Sequence, residues 1–207
     1  MLFLCLNKLV EQENGVKQID GLKKKSYTYY NGRIQFIRKG EKPMMKGIDV
    51  ARYFLSLDKN GEIFNKILRT QNGRTFYEGN ARLNKYMHLA QNIYIAKYGA
   101  LLMDSVFYAY DNGAVDPVVQ ESYSVLLERR DQAVSLQERE QRFLDSIFKA
   151  FYNATLDELI ELSHEDSEWV DKHGYYRKED QKMDSMARKA EYERQYADMI
   201  KILERMG

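Results

Sequence analysis

Strand-like alternation is confined to one stretch near the start of the chain. Tyr27 and Tyr29 on one side of Asn31-Gly32, and Arg33, Gln35 and Ile37 on the other, keep a period of two. The Asn-Gly pair suits a type I′ turn, in which both central residues need positive φ. The pattern predicts a hairpin over roughly 26–38, with Leu2 to Val10 as a candidate third strand. Lys39-Gly-Glu-Lys-Pro43 then marks a boundary, with Gly and Pro as punctuation.

From Gly47 onward the apolar period becomes helical. Ile48, Ala51 and Leu55, with Tyr53, Phe54 and Leu57, predict a short helix ending before Asn60-Gly61. The stretch 61–79 holds a short apolar piece (Ile63, Phe64, Ile67, Leu68) and then a loop or second small hairpin at Asn72-Gly73. A long helix follows from Asn80, with Leu83, Met87, Ala90 and Tyr94 on one stripe and Gly99 as its stop. Asp116-Pro117 opens another, since the carboxylate can cap orphan amides and proline suits the first helical position. Ser135-Leu-Gln-Glu138 and Thr155-Leu-Asp-Glu158 read as capping boxes ahead of the Phe143 and Leu159 helices. The last stretch, Glu179 to Met206, has no Gly or Pro. Its Tyr192, Tyr196, Met199, Leu203 and Met206 repeat at spacings of 4, 3, 4 and 3. Such a seam suits a helix laid on its own body, or a helix pair between two copies. The expected fold is therefore mainly α: a small β-hairpin appendage (1–45), a compact multi-helix domain (46–175) and an extended, charged C-terminal helix (176–207).

Charge sharpens the division. The whole chain of 207 residues is nearly neutral at +1, with 32 basic and 31 acidic side chains, but residues 1–45 carry +5 and the rest −4. A basic appendage on an acidic body keeps nucleic acid in view for the first and a protein partner for the second. The single cysteine, Cys5, excludes a disulfide framework and fits a reducing compartment. No stretch approaches the ~20 apolar residues of a membrane-spanning helix, and Met1 to Leu6 lacks the marks of a cleaved leader. The reading is a soluble, cytoplasmic protein with no membrane partner.

Candidate chemistry is sparse. None of the motifs HExxH, CxxC, GxSxG and GxxxxGK[ST] occurs, so zinc-protease, nucleophile-elbow and Walker-loop chemistry have no support. His164-Glu165-Asp166 has metal-ligand residue types, but neighbours on a helix do not converge on one ion. His164 makes better sense as a hydrogen-bonding histidine at a helix end, between Leu162 and Trp169. No enzyme, cofactor or metal is expected.

Three motifs, in order, resemble a known family. Arg82-Leu-Asn-Lys-Tyr-Met-His-Leu-Ala-Gln91 is followed by Tyr98-Gly99, Ala109-Tyr110 and Gly113-Ala-Val115. Leu162-Ser163-His164-Glu165-Asp166-Ser-Glu-Trp169 comes next, and Gly47 to Leu55 is similar to the usual opening helix. Together these residues, about 46–172, resemble the Panacea domain of SocA-like antitoxins. The chain departs from that pattern at Arg82 for lysine, His88 for tyrosine, Tyr110 for tryptophan, and Ala114 and Glu168 for proline. The stretch 59–79 reads as an insertion.

The resemblance implies a non-enzymatic antitoxin that neutralises a co-encoded toxin by binding it, with some members presenting the toxin to a protease. Lys85, Gln91, His164, Asp166 and Trp169 are the candidate partner-binding residues on the matched motifs, and Trp169 also reads as an anchor for the last body helix. Two other readings stay open. One is a phage or mobile-element inhibitor that blocks a host defence enzyme on the same scaffold. The other is nucleic-acid binding through Lys23, Lys24, Lys25 and Arg33, where cations sit among stacking tyrosines.

Overall fold

The computed structural model describes residues 26–30, 33–37, 44–71, 73–132 and 134–206, with backbone alone for those before 44 and for Met206. Packing divides the chain into two units, residues 1–43 and 44–207. In the first, β1 (Ser26–Tyr30) and β2 (Arg33–Ile37) pair antiparallel with Tyr30 opposite Arg33, the hairpin the alternation predicts. The expected strand from Leu2 to Val10 and the Asn31-Gly32 turn lie outside the described residues.

The second unit is helical. In order it comprises α1 (Gly47–Leu57), β3 (Leu68–Gln71), β4 (Arg74–Tyr77), α2 (Glu78–Tyr98), β5 (Tyr108–Tyr110), β6 (Gly113–Val115), α3 (Pro117–Glu128), α4 (Glu138–Phe151), α5 (Leu156–His164) and α6 (Ser167–Lys172). A 3₁₀ turn (Ser185–Arg188), α7 (Lys189–Gln195) and α8 (Ala197–Met206) complete it. β3 with β4, and β5 with β6, form separate antiparallel hairpins. The first is the small hairpin at Asn72-Gly73, where Gly73 takes the positive φ of 72° that the turn requires. The second has no alternation long enough to betray it in the sequence.

The centre of the unit is α2. It touches α1, α3, α4, α5, α7, α8 and β6, and every residue from Leu83 to Ile95 is buried. A helix covered all round needs partners on every side, and α2 finds apolar ones on one flank and polar ones on another. On the apolar flank Tyr86 meets Phe54 and Phe64 edge-on, with ring centroids 5.6 and 5.3 Å apart, and Phe148 and Phe151 close the cluster. Gly99 ends α2 in the left-handed conformation, its amide returning to the Ile95 carbonyl.

Local start signals behave unevenly. Asp116 caps α3 through the Val118 and Val119 amides, and the reciprocal Thr155–Glu158 capping box opens α5. The Ser135–Glu138 box does not form: α4 begins at Glu138, after Gln137, with no side-chain cap. Leu136 packs against the core instead, holding the preceding chain extended, and Glu138 pairs with Arg142 one turn on.

The C-terminal stretch differs from the single extended helix expected of it. Tyr196 interrupts it with φ −98° and ψ 9°, giving α7 and α8 after a 3₁₀ turn. The seam residues Tyr192, Tyr196 and Leu203 are nonetheless buried against the same unit, and Met199 packs on its core. The seam is thus satisfied within one chain. The side chain of Met206, its last position, lies outside the described residues.

Gly79 gives the first testable point. A Cβ there would overlap the backbone of Asn65 and the hydroxyl of Tyr123, which itself bonds the Asn65 carbonyl at 2.8 Å. The obstacle is mainly backbone, so the cost of Gly79→Ala is about 3 kcal/mol, in the range of overpacking. Urea unfolding of the variant should show it as a lowered midpoint with an unchanged slope.

Candidate functional site

Five polar side chains line the middle of α2: Asn84, Lys85, His88, Gln91 and Asn92, all buried. Their spacing places them on a stripe of their own, away from the stripe of Leu83, Met87, Ala90 and Tyr94. A buried polar group left unpaired costs about 1–3 kcal/mol, so the partners of each one explain what holds this region together.

Asn84 accepts from the Asp116 amide at 2.8 Å and thereby fixes the start of α3. Gln91 accepts from the Leu102 and Met103 amides at 3.0 and 3.2 Å and donates to the Met103 carbonyl at 3.3 Å. That run in turn receives Met45, which donates to the Leu102 carbonyl and accepts from the Asp104 amide. Asp104 also accepts from the Gly47 amide at 2.6 Å, at the start of α1. One glutamine therefore supports the entry of α1.

Among the described residues Lys85 forms no ion pair with a carboxylate. Its Nζ donates to the Ala114 carbonyl at 2.8 Å, and burial pushes its pKa down to about 7. Gly113 makes this approach possible. Its φ is 88°, and a Cβ there would stand 2.7 Å from Ser163 Oγ and 2.9 Å from Lys85 Nζ.

His88 and Asp166 form the centre. His88 Nε2 lies 2.7 Å from Asp166 Oδ2, with both side chains wholly inaccessible. Asp166 also accepts from Asn92 Nδ2 at 2.9 Å, from the Glu168 amide at 2.8 Å, and from the Tyr192 hydroxyl at 3.0 and 2.9 Å. Burial alone would raise the Asp166 pKa; the His88 ring, the Glu168 amide and Asn92 outweigh it and hold the carboxyl below its usual range. On the far side of the imidazole, Ser163 Oγ stands 3.4 Å from Nδ1 and accepts from the Ala114 amide at 3.0 Å. These partners favour the tautomer with the proton on Nε2.

The composition of Ser163, His88 and Asp166 invites comparison with a hydrolytic triad, and the geometry argues against it. The serine faces Nδ1 and the carboxylate Nε2, the reverse of the usual arrangement, and all three groups are sealed from solvent. What the cluster does is join α2, β6, α5, α6 and α7 through one set of hydrogen bonds.

Around its rim, Trp169 donates from Nε1 to the Tyr110 carbonyl at 3.0 Å and is stacked between two imidazoles. His164 lies 3.9 Å from it on one face and His173 4.2 Å on the other. Burial, with the charges of Lys85 and His173, keeps the His164 pKa low, against a hydrogen bond to the Asp111 backbone. Among the described residues no three His, Cys, Asp or Glu side chains are placed to hold a metal, and no helix is long and apolar enough to cross a membrane.

The structure stacks half-buried His164 on Trp169, which is itself buried. Lys85, Gln91 and Asp166, which the sequence reading places among partner contacts, are instead interior. Each is consumed by backbone groups or neighbouring side chains of its own unit, which leaves none to offer outward. Lys23, Lys24 and Lys25 lie outside the described residues; Arg33 is in β2, its side chain outside them. Sequence reasoning missed His88, Asn92, Ser163 and Tyr192. No local signal marks them, because a polar row at 84, 88 and 91 beside an apolar one ordinarily reads as the solvated face of an amphipathic helix.

The second unit is thus a helical domain organised around a central helix that is stapled by buried polar side chains to its loops and to α6 and α7. Residues 83–170 of it match the family model described as Antitoxin SocA-like, Panacea domain. No curated protein and no solved structure matches the chain.

Proposed function

We propose that this protein is a non-enzymatic antitoxin that neutralises a co-encoded protein toxin by direct binding through the unit 44–207. The match of residues 83–170 to the SocA-like Panacea domain carries this reading. The geometry supports it in a second way. The buried polar groups of α2 are engaged in holding the domain together, while apolar side chains stand free on its surface: Val118 and Val125 on α3, and Val170, Tyr175 and Tyr176 at and beyond α6. Exposed tyrosines such as Tyr175 and Tyr176 suit a contact surface for a protein partner.

Co-expression with the product of the neighbouring reading frame tests the proposal. Growth should be restored and the two chains should co-purify, also when the protein begins at Met45. Persistent toxicity with the full chain would overturn it. Recovery of a host enzyme in place of the neighbouring product would favour an inhibitor encoded by a mobile element. Salt-dependent affinity for DNA or RNA would favour the basic appendage as the working part.

A further inference from the structure

The ends of α5 and α6 are held together by three stacked rings. His164, the last residue of α5, and His173, just past α6, cover the two faces of Trp169 at 3.9 and 4.2 Å, and the indole Nε1 is tied to the Tyr110 carbonyl. Both faces and the one polar atom of the indole are thus occupied, which joins the end of α5, α6 and the chain leaving it into one firm surface. That chain is pinned in turn, since the Tyr175 carbonyl accepts from Gln181 Nε2 at 2.7 Å. Apolar groups stand uncovered here. Val170, next to the indole in α6, is 57% exposed, Tyr175 is 50% exposed and Tyr176 wholly so.

Charge along the same surface does not serve stability. Between residues 150 and 171 the chain carries seven carboxylates and no Lys or Arg. The two at the start of α5 are accounted for: Asp157 pairs with Arg69, and Glu158 closes the capping box at the end where the helix dipole favours it. Glu161 and Glu165 are not. Both are exposed, neither forms an ion pair among the described residues, and they occupy the last turn and the C-cap of α5, where the dipole disfavours negative charge. Cations return only at Lys172 and in the loop beyond, with Arg177 and Lys178.

We propose, resting on the antitoxin reading above, that this face, Val170 and Tyr175 with Glu161 and Glu165 beside them, is the surface that receives the toxin, and that the toxin meets it with an apolar patch edged by Lys or Arg. The two carboxylates are four residues apart on one helix face, about 6 Å, so a pair of cations can engage both. Their uncompensated charge draws a basic protein surface and turns away the phosphates of a nucleic acid. The aromatic and aliphatic groups supply the desolvated centre that charge alone would not.

The full chain carrying Glu161→Lys and Glu165→Lys tests it, with Glu161→Gln and Glu165→Gln as the second pair should the lysines unfold the chain. Thermal unfolding of the glutamine pair should show a midpoint unchanged or raised, because the substitutions relieve repulsion at the end of α5. A lowered midpoint would assign the carboxylates to the fold and overturn the proposal. On co-expression with the neighbouring product, the wild type should restore growth and the lysine pair should not. Full neutralisation by that folded variant would overturn the proposal and leave the antitoxin reading standing, whereas failure of the wild type would overturn the reading itself. A toxin-free arm then decides the face: a labelled twelve-residue peptide of alternating Lys and Leu. Its binding should slow amide exchange within 157–176 of the wild type, weaken about tenfold in the lysine pair, and be absent when Glu replaces Lys in the peptide. No protection, protection confined to other segments, or equal binding by the variant would overturn the proposal.

Discussion

Lys85→Met stabilises the protein at pH 7 by about 2 to 3 kcal/mol. The folded chain holds Lys85 with a pKa near 7, against an ordinary value of 10.5. Between those two values the unfolded chain binds a proton that the folded chain does not, so wild-type stability rises with pH across that window and the penalty is largest at and below its lower end. At pH 7 the shift corresponds to about 4 kcal/mol, from which about 1–2 kcal/mol is subtracted because methionine leaves the Ala114 carbonyl without its donor. The gain should therefore shrink to near zero by about pH 9.5, where little of the ionisation cost remains. Urea unfolding at pH 7 and pH 9.5 measures both ends. Equal stability of variant and wild type at pH 7 would mean that the ammonium is better solvated than its wholly buried position implies.

Asp166→Asn should act in the opposite direction, with a loss of about 3 kcal/mol, the cost of leaving buried donors without their charged acceptor. The carboxylate accepts from four groups on three segments: His88 and Asn92 on α2, the Glu168 amide on α6 and Tyr192 on α7. An amide in its place turns one acceptor oxygen into a donor that meets other donors. Because the folded-state pKa of Asp166 is depressed, its contribution is present in full above the ordinary carboxylate value and fades as pH falls through the folded one. The difference between variant and wild type should accordingly be constant from pH 5 to 8 and narrow in the acid limb. A loss that stays the same down to the end of that limb would assign the effect to packing rather than to charge.

The two substitutions act on different joints around α2. Lys85 tethers the β5–β6 hairpin through Ala114, and Asp166 gathers α6 and α7 onto His88 and Asn92. One is a cost the fold carries for a backbone contact. The other is a joint that holds α6 and α7 on α2.

Much of the second unit was legible in the sequence wherever local chemistry decides the outcome. Asp116-Pro117, Thr155 to Glu158 and Gly99 placed helix ends because a cap is satisfied within a few residues of itself. Ser135 to Glu138 fits the same pattern and fails: α4 starts at Glu138 without a side-chain cap, and Leu136 packs on the core. The candidate site was legible as motif and not as geometry. Lys85, Gln91 and Asp166 were marked by their place in the resemblance, but nothing local tells an exposed lysine from one whose carbonyl partner lies 29 residues away.

By itself, then, the sequence determined the mainly helical character, the hairpin around Asn31-Gly32, most of the helix starts and the resemblance that residues 83–170 bear out. These follow from short-range rules: period, caps and turn chemistry. Only the tertiary structure decided that α2 is covered on every side, that its polar stripe is interior, and that the seam of Tyr192, Tyr196 and Leu203 closes on its own chain. The reason is physical. Burial and ionisation depend on what arrives from distant parts of the chain, and Tyr192 reaches Asp166 across 26 residues to make a contact that neither residue's neighbours encode.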